Sequence, residues 1–363
     1  MKKLIRVIGA RPQLMQVKPV WEKLDSMGFD QVLVHTGQHY SDELSGNLFR
    51  QLGLTPPKYN LEVGSGSHSE MTAKIMIAFE KVLIKEKADG VIVDGDTNST
   101  LAASLSAAKL NIPIFHIESG TRDKDKRRPE EVNRILTDHL ASLCFAPTEK
   151  AMVNLTLENL EANSHYVGDV LLDTYIDSCQ SMNEALLDRF EIQSNEFNYM
   201  TLHRPENTDL EAEKRFLSIL KFVDSLKLKT LYPVHPRVDN LLQKVTSEHN
   251  FRNIRFIEPL SYYDSLTMSR NANWVFTDSG GVSREAVWSG AKTIMIFKKL
   301  TWSEFVENDL AHIALGETEN LEPVLSELYS KDLIVDTEKA FSLFGAGKAS
   351  EKISKLIKDF YER

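Results

Sequence analysis

The sequence predicts an α/β protein of two doubly wound, parallel-sheet domains. Short apolar runs alternate with amphipathic stretches, the runs are apolar throughout rather than at every second position, and ionisable residues recur where the runs end. Strands buried on both faces and separated by helices imply a parallel sheet covered on both sides. At 363 residues the chain has room for two such domains and is too long for one compact core.

KLIRVIGA opens the chain as a core strand. Its apolar stretch is too short for a secretory signal, Arg6 interrupts it, and Arg11-Pro12 ends it where a cleavage site needs small residues. VKPVWEKLDSM reads as the next helix and QVLVHTG as the second strand. TAKIMIAFEKVLIKEK, TLAASLSAAKL and EVNRILTDHLA then read as helices around the strands GVIVDGD, IPIFHIESG and SLCFAPT. The alternation weakens over residues 168–196, where VGDVLLDTYIDSC leads into a polar stretch, and this places a hinge near 170. It resumes with YMTLHRPENT, KTLYPVHPR, IRFIEPL, NWVFTDSGG and AKTIMIF. The expected division is 1–170 for a first Rossmann-like domain, 171–347 for a second, and 348–363 for a terminal helix packed back on the first. Ligands of such sheets sit beyond the carboxyl ends of the strands, and the ligand is expected between the two domains.

Composition narrows the function. The formal net charge of −9 opposes sequence-independent nucleic-acid binding, which needs a basic surface to neutralise phosphates. No run of about 18 apolar residues offers a membrane span. Cys144 and Cys179 are the only cysteines and form no CxxC pair, so a metal cluster or disulfide framework is not expected and a reducing, cytoplasmic setting is. No HExxH, GxGxxG, GxSxG or Walker-type lysine loop occurs, so neither a metal site nor a nicotinamide cofactor is indicated.

TDSGGVSREA, residues 277–286, carries the most chemistry. It joins an apolar strand to a helix through Ser279, Gly280 and Gly281. Glycines there let the backbone approach a ligand closely, and the free N–H groups and positive dipole end favour an anion such as a diphosphate. Glu285 falls one turn into that helix, where a carboxylate would accept from the two hydroxyls of a ribose. The competing reading is a glycine-rich connection that only lets helix and strand pack.

The strand-end acids are the candidates for proton transfer. Asp96 in GDTNST begins a strand-to-helix turn, and its alternative role is a helix N-cap. Glu118 in HIESG ends a strand. Glu130 and Glu131 follow Pro129 and open a helix, where they also complement the dipole. Carboxylates converging on one site suit acid–base chemistry when their surroundings separate their pKa values. Arg122, Arg127, Arg128 and Arg134 flank them, either paired with the acids, holding phosphate, or lying on a solvated face. His203 and His235 end strands of the second half and would steady a leaving diphosphate. Arg11, His39, His116 and Asp278 also stand at strand ends.

With these motifs in place, the chain resembles the non-hydrolysing UDP-N-acetylglucosamine 2-epimerases. The matching segments are GARP at 9–12, HTGQHY at 35–40, GDTNST at 95–100, HIESG at 116–120, RPEEVNRILTDH at 128–139, HRPENTD at 203–209, PVHPR at 233–237, IEPL at 257–260 and TDSGG at 277–281. RPEEVNRILTDH with HRPENTD is most similar to the branch acting on UDP-sugars for surface polysaccharides, which includes epimerases of UDP-2,3-diacetamido-glucuronic acid. The resemblance implies a fold of the glycosyltransferase B type and inversion at carbon 2 of the sugar, by elimination of UDP to a 2-acetamidoglucal and re-addition on the opposite face. It implies no cofactor, a UDP-sugar as the partner molecule, and a homodimer. Carried over by position, Asp96, Glu118 and Glu130 are the acid–base carboxylates, with His203 at the diphosphate among the catalytic groups. Arg11, Glu131, His235, Ser279, Gly280, Gly281 and Glu285 bind substrate.

The chain departs from the family pattern at several positions. Gln16 stands where a Lys is usual near the phosphates, with Lys18 two residues on. Phe297 replaces an expected Arg, and Lys298-Lys299-Leu300-Thr301 lacks the usual pattern before Trp302 and Glu304 resume the match. Thr121, Asp123, Lys124 and Arg128 differ within their loop, and HTGQHYSDEL differs from the allosterically regulated members. A glycosyltransferase of the same fold is the alternative, using the same TDSGG cradle without needing both Glu118 and Glu130. A hydrolysing relative and a pure binding protein rank below it, since the former lacks RPEEVNR and the latter has little use for so many strand-end carboxylates.

Overall fold

The structure, a computed structural model, describes residues 1–37, 49, 53–299 and 302–362. His39, the HTGQHYSDEL motif from residue 38 onward, Leu300 and Thr301 lie outside the described residues, as do the side chains of Arg11 and Pro12.

The chain forms two compact units, residues 1–176 with 342–363, and residues 177–341. The first holds a seven-stranded sheet, ordered β3-β2-β1-β4-β5-β6-β7. Its strands are β1 (Lys3–Ile8), β2 (Asp30–His35), β3 (Tyr59–Asn60), β4 (Gly90–Asp94), β5 (Ile114–Ile117), β6 (Leu143–Ala146) and β7 (Ser164–Tyr166). Every pairing is parallel. The helices that frame its ligand edge are α1 (Arg11–Ser26), α2 (His68–Glu86), α3 (Asn98–Lys109) and α4 (Pro129–Leu140). The order reverses between β1 and β4, and such a switch point opens a crevice at the carboxyl ends.

Local chemistry explains these elements. Pro129 at the first turn suits α4 because its missing N–H would be unbonded there anyway. Thr97 caps α3 by accepting the Thr100 N–H at 3.2 Å. Gln13 ties the first crossover to β4: its Oε1 accepts the Gly9 and Ala10 N–H groups at 2.7 and 3.0 Å, and its Nε2 donates to the Asp94 carbonyl at 2.7 Å. The terminal helix α5 (Ala349–Glu362) inserts Ile353 and Ile357 into a core with Leu4, Ile92 and Phe115. A Cβ at Gly90 would meet the Tyr361 hydroxyl at 2.3 Å, so only glycine lets that helix dock.

The second unit holds a six-stranded parallel sheet, ordered β10-β9-β8-β11-β12-β13. Its strands are β8 (Phe197–Thr201), β9 (Lys229–Pro233), β10 (Ile254–Ile257), β11 (Trp274–Thr277), β12 (Lys292–Phe297) and β13 (His312–Leu315). Its switch point lies between β8 and β11, where helix α6 (Gly280–Trp288) begins. Two doubly wound parallel sheets in one chain match the expected glycosyltransferase B type. Among the described residues, no helix is long and apolar enough to cross a membrane.

Candidate active site

In the first unit Asp96, Asp123 and Glu131 gather around one cation. Arg134 of α4 is buried, and its guanidinium reaches Asp96 Oδ2 at 2.5 Å, Glu131 Oε2 at 3.2 Å and Asp123 Oδ2 at 3.6 Å. Burial alone would lower its pKa, but the charges of Asp96, Asp123 and Glu118 raise it overall. Arg134 thus stays charged and holds Asp96, which is partly exposed, at the end of β4.

Glu118 follows β5 with φ +69°, a left-handed conformation uncommon for a residue other than glycine. Its Oε2 accepts from Gln16 Nε2 at 2.7 Å. At position 16 a neutral amide thus donates to this carboxylate. Gln16 is 5% exposed, and its Oε1 has no hydrogen-bond partner among the described residues. Glu130 is the most exposed of the acids at 43%, with Arg128 Nε at 3.7 Å.

Glu131 sits differently from its neighbour. It is 1% exposed, and its oxygens accept the Asp123 and Lys124 N–H groups at 3.0 and 2.9 Å. It fastens the 121–128 loop to the start of α4. Sequence spacing alone did not separate this role from that of Glu130, one residue away.

In the second unit, Ser279 caps α6 by accepting the Val282 N–H at 3.3 Å. Neither Gly280 nor Gly281 has a positive φ. A Cβ at Gly281 would meet only Ser279 Oγ at 3.9 Å, and one at Gly280 would meet Trp302 Nε1 at 3.3 Å and Arg204 Nη2 at 3.9 Å. At Gly281 neither backbone conformation nor protein packing demands a glycine.

Asp278, fully buried, accepts the His203 and Arg204 N–H groups at 3.0 and 2.9 Å and Asn207 Nδ2 at 3.0 Å. This fixes the HRPEN turn beside the start of α6. His203 remains 41% exposed, with its ring 5.8 Å from that of His235. His235 Nδ1 accepts the Arg237 N–H at 3.1 Å, so a neutral His235 ring carries its proton on Nε2. Glu285 is 5% exposed on α6, where burial and then the Glu285 charge hold the Tyr262 phenol well above its usual range.

The departure at Phe297 has a physical counterpart. The Arg204 guanidinium lies over the Phe297 ring, 4.8 Å from its centroid. Position 297 thus packs an aromatic face against Arg204, one residue after His203. Arg284 likewise rests on the Trp302 ring at 3.9 Å and donates to the Gly280 carbonyl at 3.0 Å.

Gln13 and Arg204 thus join the candidate residues, and Arg134 and Asp278, already noted as flanking and strand-end groups, gain partners. Arg204 was signalled by following His203 at a strand end; Gln13, between the first strand and the helix read from Val17, gave no signal.

The comparisons with known proteins agree with this geometry. The family model described as UDP-N-acetylglucosamine 2-epimerase matches residues 22–358. A UDP-N-acetylglucosamine 2-epimerase of Methanocaldococcus jannaschii is 35% identical, with 98% of each chain covered. A UDP-2,3-diacetamido-2,3-dideoxy-D-glucuronate 2-epimerase of Pseudomonas aeruginosa is 33% identical, covering 98% of this chain and 99% of its own. A crystal structure of a Methanocaldococcus jannaschii UDP-GlcNAc 2-epimerase in complex with UDP-GlcNAc and UDP superposes with a TM-score of 0.87 at 34% identity, over 98% of this chain and 99% of that one. With a family match along nearly its whole length, and relatives of equal extent above 30% identity, this chain belongs to the UDP-N-acetylglucosamine 2-epimerase family.

Proposed function

We propose that this enzyme inverts carbon 2 of a UDP-2-acetamido sugar, UDP-N-acetylglucosamine or a close 2,3-diacetamido relative, as a precursor step for a surface polysaccharide. A carboxylate removes the carbon 2 proton, the C1–O bond breaks with its electron pair leaving on UDP, and a carbon 1–carbon 2 double bond forms. A second carboxylic acid delivers a proton to the opposite face of carbon 2, and the diphosphate oxygen bonds carbon 1 again. No net oxidation occurs.

Asp96, Glu118 and Glu130 serve as the acid–base groups. Arg11 and the loop that Glu131 fastens help hold the sugar. Ser279, Gly280 and Gly281 cradle the diphosphate with His203, His235 and Arg204, and Glu285 takes the ribose hydroxyls. One observation carries the reading: Arg204 Nη2 lies 3.9 Å from the Cβ position of Gly280, at the positive end of α6. A helix N-terminus beside a guanidinium is a favourable place for an anion, and Glu206, 3.7 Å from Arg204 Nη1, holds the guanidinium there.

In deuterated water, deuterium is expected at carbon 2 with the UDP-sugar retained. A glycosyltransferase leaves that hydrogen untouched, so no incorporation across a panel of UDP-amino sugars sinks the reading.

Gly281→Ala separates ligand from fold. Alanine in a helix is up to about 1 kcal/mol better than glycine, and the structure leaves room for its methyl group. The melting temperature is expected to hold or rise while the Kd for UDP weakens about tenfold or more, which is about 1.4 kcal/mol. Unchanged UDP affinity would remove the diphosphate from this turn.

A cytoplasmic homodimer belongs to the same proposal. It is supported by the free thiols of Cys144 and Cys179 and by Ile77 and Ile84, seven residues apart on α2 and 60% and 63% exposed. A monomeric mass by sedimentation would exclude the dimer.

A further inference from the structure

We propose that His116 is held as an imidazolium across the neutral pH range and that, paired with Asp138, it positions the three segments bearing Asp96, Glu118 and Glu130. The inference rests on the acid–base reading of those three carboxylates, but its first part does not.

The protons of His116 are fixed by its partners. The ring is fully buried on β5. Nδ1 lies 2.6 Å from Asp138 Oδ1, and Nε2 lies 2.8 Å from the carbonyl oxygen of Gly95. A carbonyl oxygen only accepts. Asp138 is also confined to accepting, because every other group on its carboxylate is a donor. Ser119 Oγ–H points at Oδ1, and the Gly120 N–H and Arg122 Nη2 reach Oδ2 at 3.0 and 2.7 Å. An imidazole with one proton would set a lone pair against one of its two acceptors. Only the doubly protonated ring satisfies both.

Charge balance agrees. Arg122 also bonds Glu158 through Nε and Nη2 at 2.8 and 2.7 Å, so its single charge is shared between two carboxylates. Glu158 is 27% exposed and partly solvated, whereas Asp138 is sealed from water and gains from a second positive partner in His116. His139 of α4 lies 3.7 Å from the Glu158 carboxylate on its exposed side. The Cys144 thiol, whose Sγ approaches the Asp138 carbonyl at 3.5 Å, is pushed up to about 12 by burial and adds no charge. Burial opposes the charged imidazole, yet the Asp138 charge and hydrogen bond raise its pKa overall.

The pair touches each catalytic segment through the backbone. Gly95, held by Nε2, immediately precedes Asp96. Ser119 and Gly120, held by the Asp138 carboxylate, immediately follow Glu118 and support its left-handed φ. Asp138 itself lies two turns along α4 from Glu130 and Glu131. A single ion pair therefore sets the relative position of three carboxylates that bond little to one another. His116 and Asp138 are positioning residues and are not assigned to the substrate.

Two measurements test this on the full-length protein. In ¹⁵N-histidine NMR, with the resonance assigned by its loss in His116→Gln, both ring nitrogens are expected to remain protonated at neutral pH, where an ordinary histidine is mostly neutral. A signal from a neutral tautomer near pH 7 overturns the imidazolium, whether or not the protein proves to be an epimerase. His116→Gln and Asp138→Asn are then each expected to lower kcat about 100-fold, the scale of a misplacement near 1 Å. The Kd for UDP should not change, and the double variant should be no slower than either single one. Parental kcat in a folded single variant, or a fall in UDP affinity matching the fall in kcat, overturns the positioning role. If the wild type incorporates no deuterium at carbon 2, the epimerase reading fails, while the NMR result still decides the charge.

Discussion

Glu118→Gln is expected to lower epimerase turnover by about 10³-fold, within the 10²–10⁴ range that a positioned acid–base group contributes, while the Kd for UDP stays within about twofold. The substitution preserves shape. The Gln16 Nε2–H that now meets Glu118 Oε2 at 2.7 Å would meet the amide oxygen of the variant instead, so the pair of side chains has no reason to move. What disappears is the capacity to take and return a proton. The diphosphate contacts proposed for the second unit are untouched, which is why affinity and rate should separate. Asp96→Asn is expected to be less clean, because it also takes the anionic partner from Arg134 at 2.5 Å and leaves that buried guanidinium with Glu131 and Asp123. Stopped-assay kinetics beside calorimetric titration of UDP provide both quantities for each variant. Parental turnover in Glu118→Gln would remove this residue from the chemistry.

Much of this arrangement was readable before any coordinates. A parallel sheet sends the carboxyl ends of its strands to one edge, so Asp96, Glu118, His203 and Asp278 could be located from apolar runs alone. The helix beginning at Gly280 was equally legible, since Ser-Gly-Gly after WVFT is strand, cap and helix in one segment. Three strands were not foreseen. β7 is Ser164-His165-Tyr166, β3 has two residues, and β13 is the half-exposed His312–Leu315; all lie at sheet edges, where neighbours on one side only demand no long apolar run.

The side-chain pairings were less accessible, because they depend on distances that spacing does not encode. Glu130 and Glu131 are adjacent in sequence, yet one is 43% exposed and the other 1%. An α-helix turns about 100° per residue, and without its docking direction the buried member cannot be chosen. The missing cation at Phe297 likewise looked like a loss. In three dimensions the aromatic ring at 297 has a use of its own, as the platform on which Arg204 lies. Such contacts between positions far apart in sequence are invisible in a single chain read linearly.

Asp94→Leu is expected to destabilise the protein by about 3–5 kcal/mol in denaturant unfolding, the usual cost of removing one partner from a buried ion pair. Arg6 is the residue that interrupts the first apolar strand, and it is 1% exposed. Its Nε and Nη2 reach Asp94 Oδ2 and Oδ1 at 3.0 and 2.5 Å, and its Nη1 and Nη2 also donate to the Val17 and Gln16 carbonyls at 3.1 and 2.8 Å. The fork therefore joins β1, β4 and α1 at the place where the sheet reverses order. Without Asp94 the guanidinium keeps its two carbonyls but has no counter-charge in a region sealed from water. Arg6→Met combined with Asp94→Leu removes both charges together, and such replacements are often close to neutral. The double variant should therefore be more stable than Asp94→Leu alone, with a coupling of about 2 kcal/mol or more, larger than most interactions between neighbouring residues. Function should not follow stability here. In the double variant the Gln16 carbonyl loses its tether, Gln16 no longer has a fixed approach to Glu118, and turnover is expected to fall even where the fold is as stable as the parent. A double variant as unstable as Asp94→Leu would show that packing at the switch point, and not the charge pair, dominates. One as active as the parent would show that Arg6 has no part in placing Gln16.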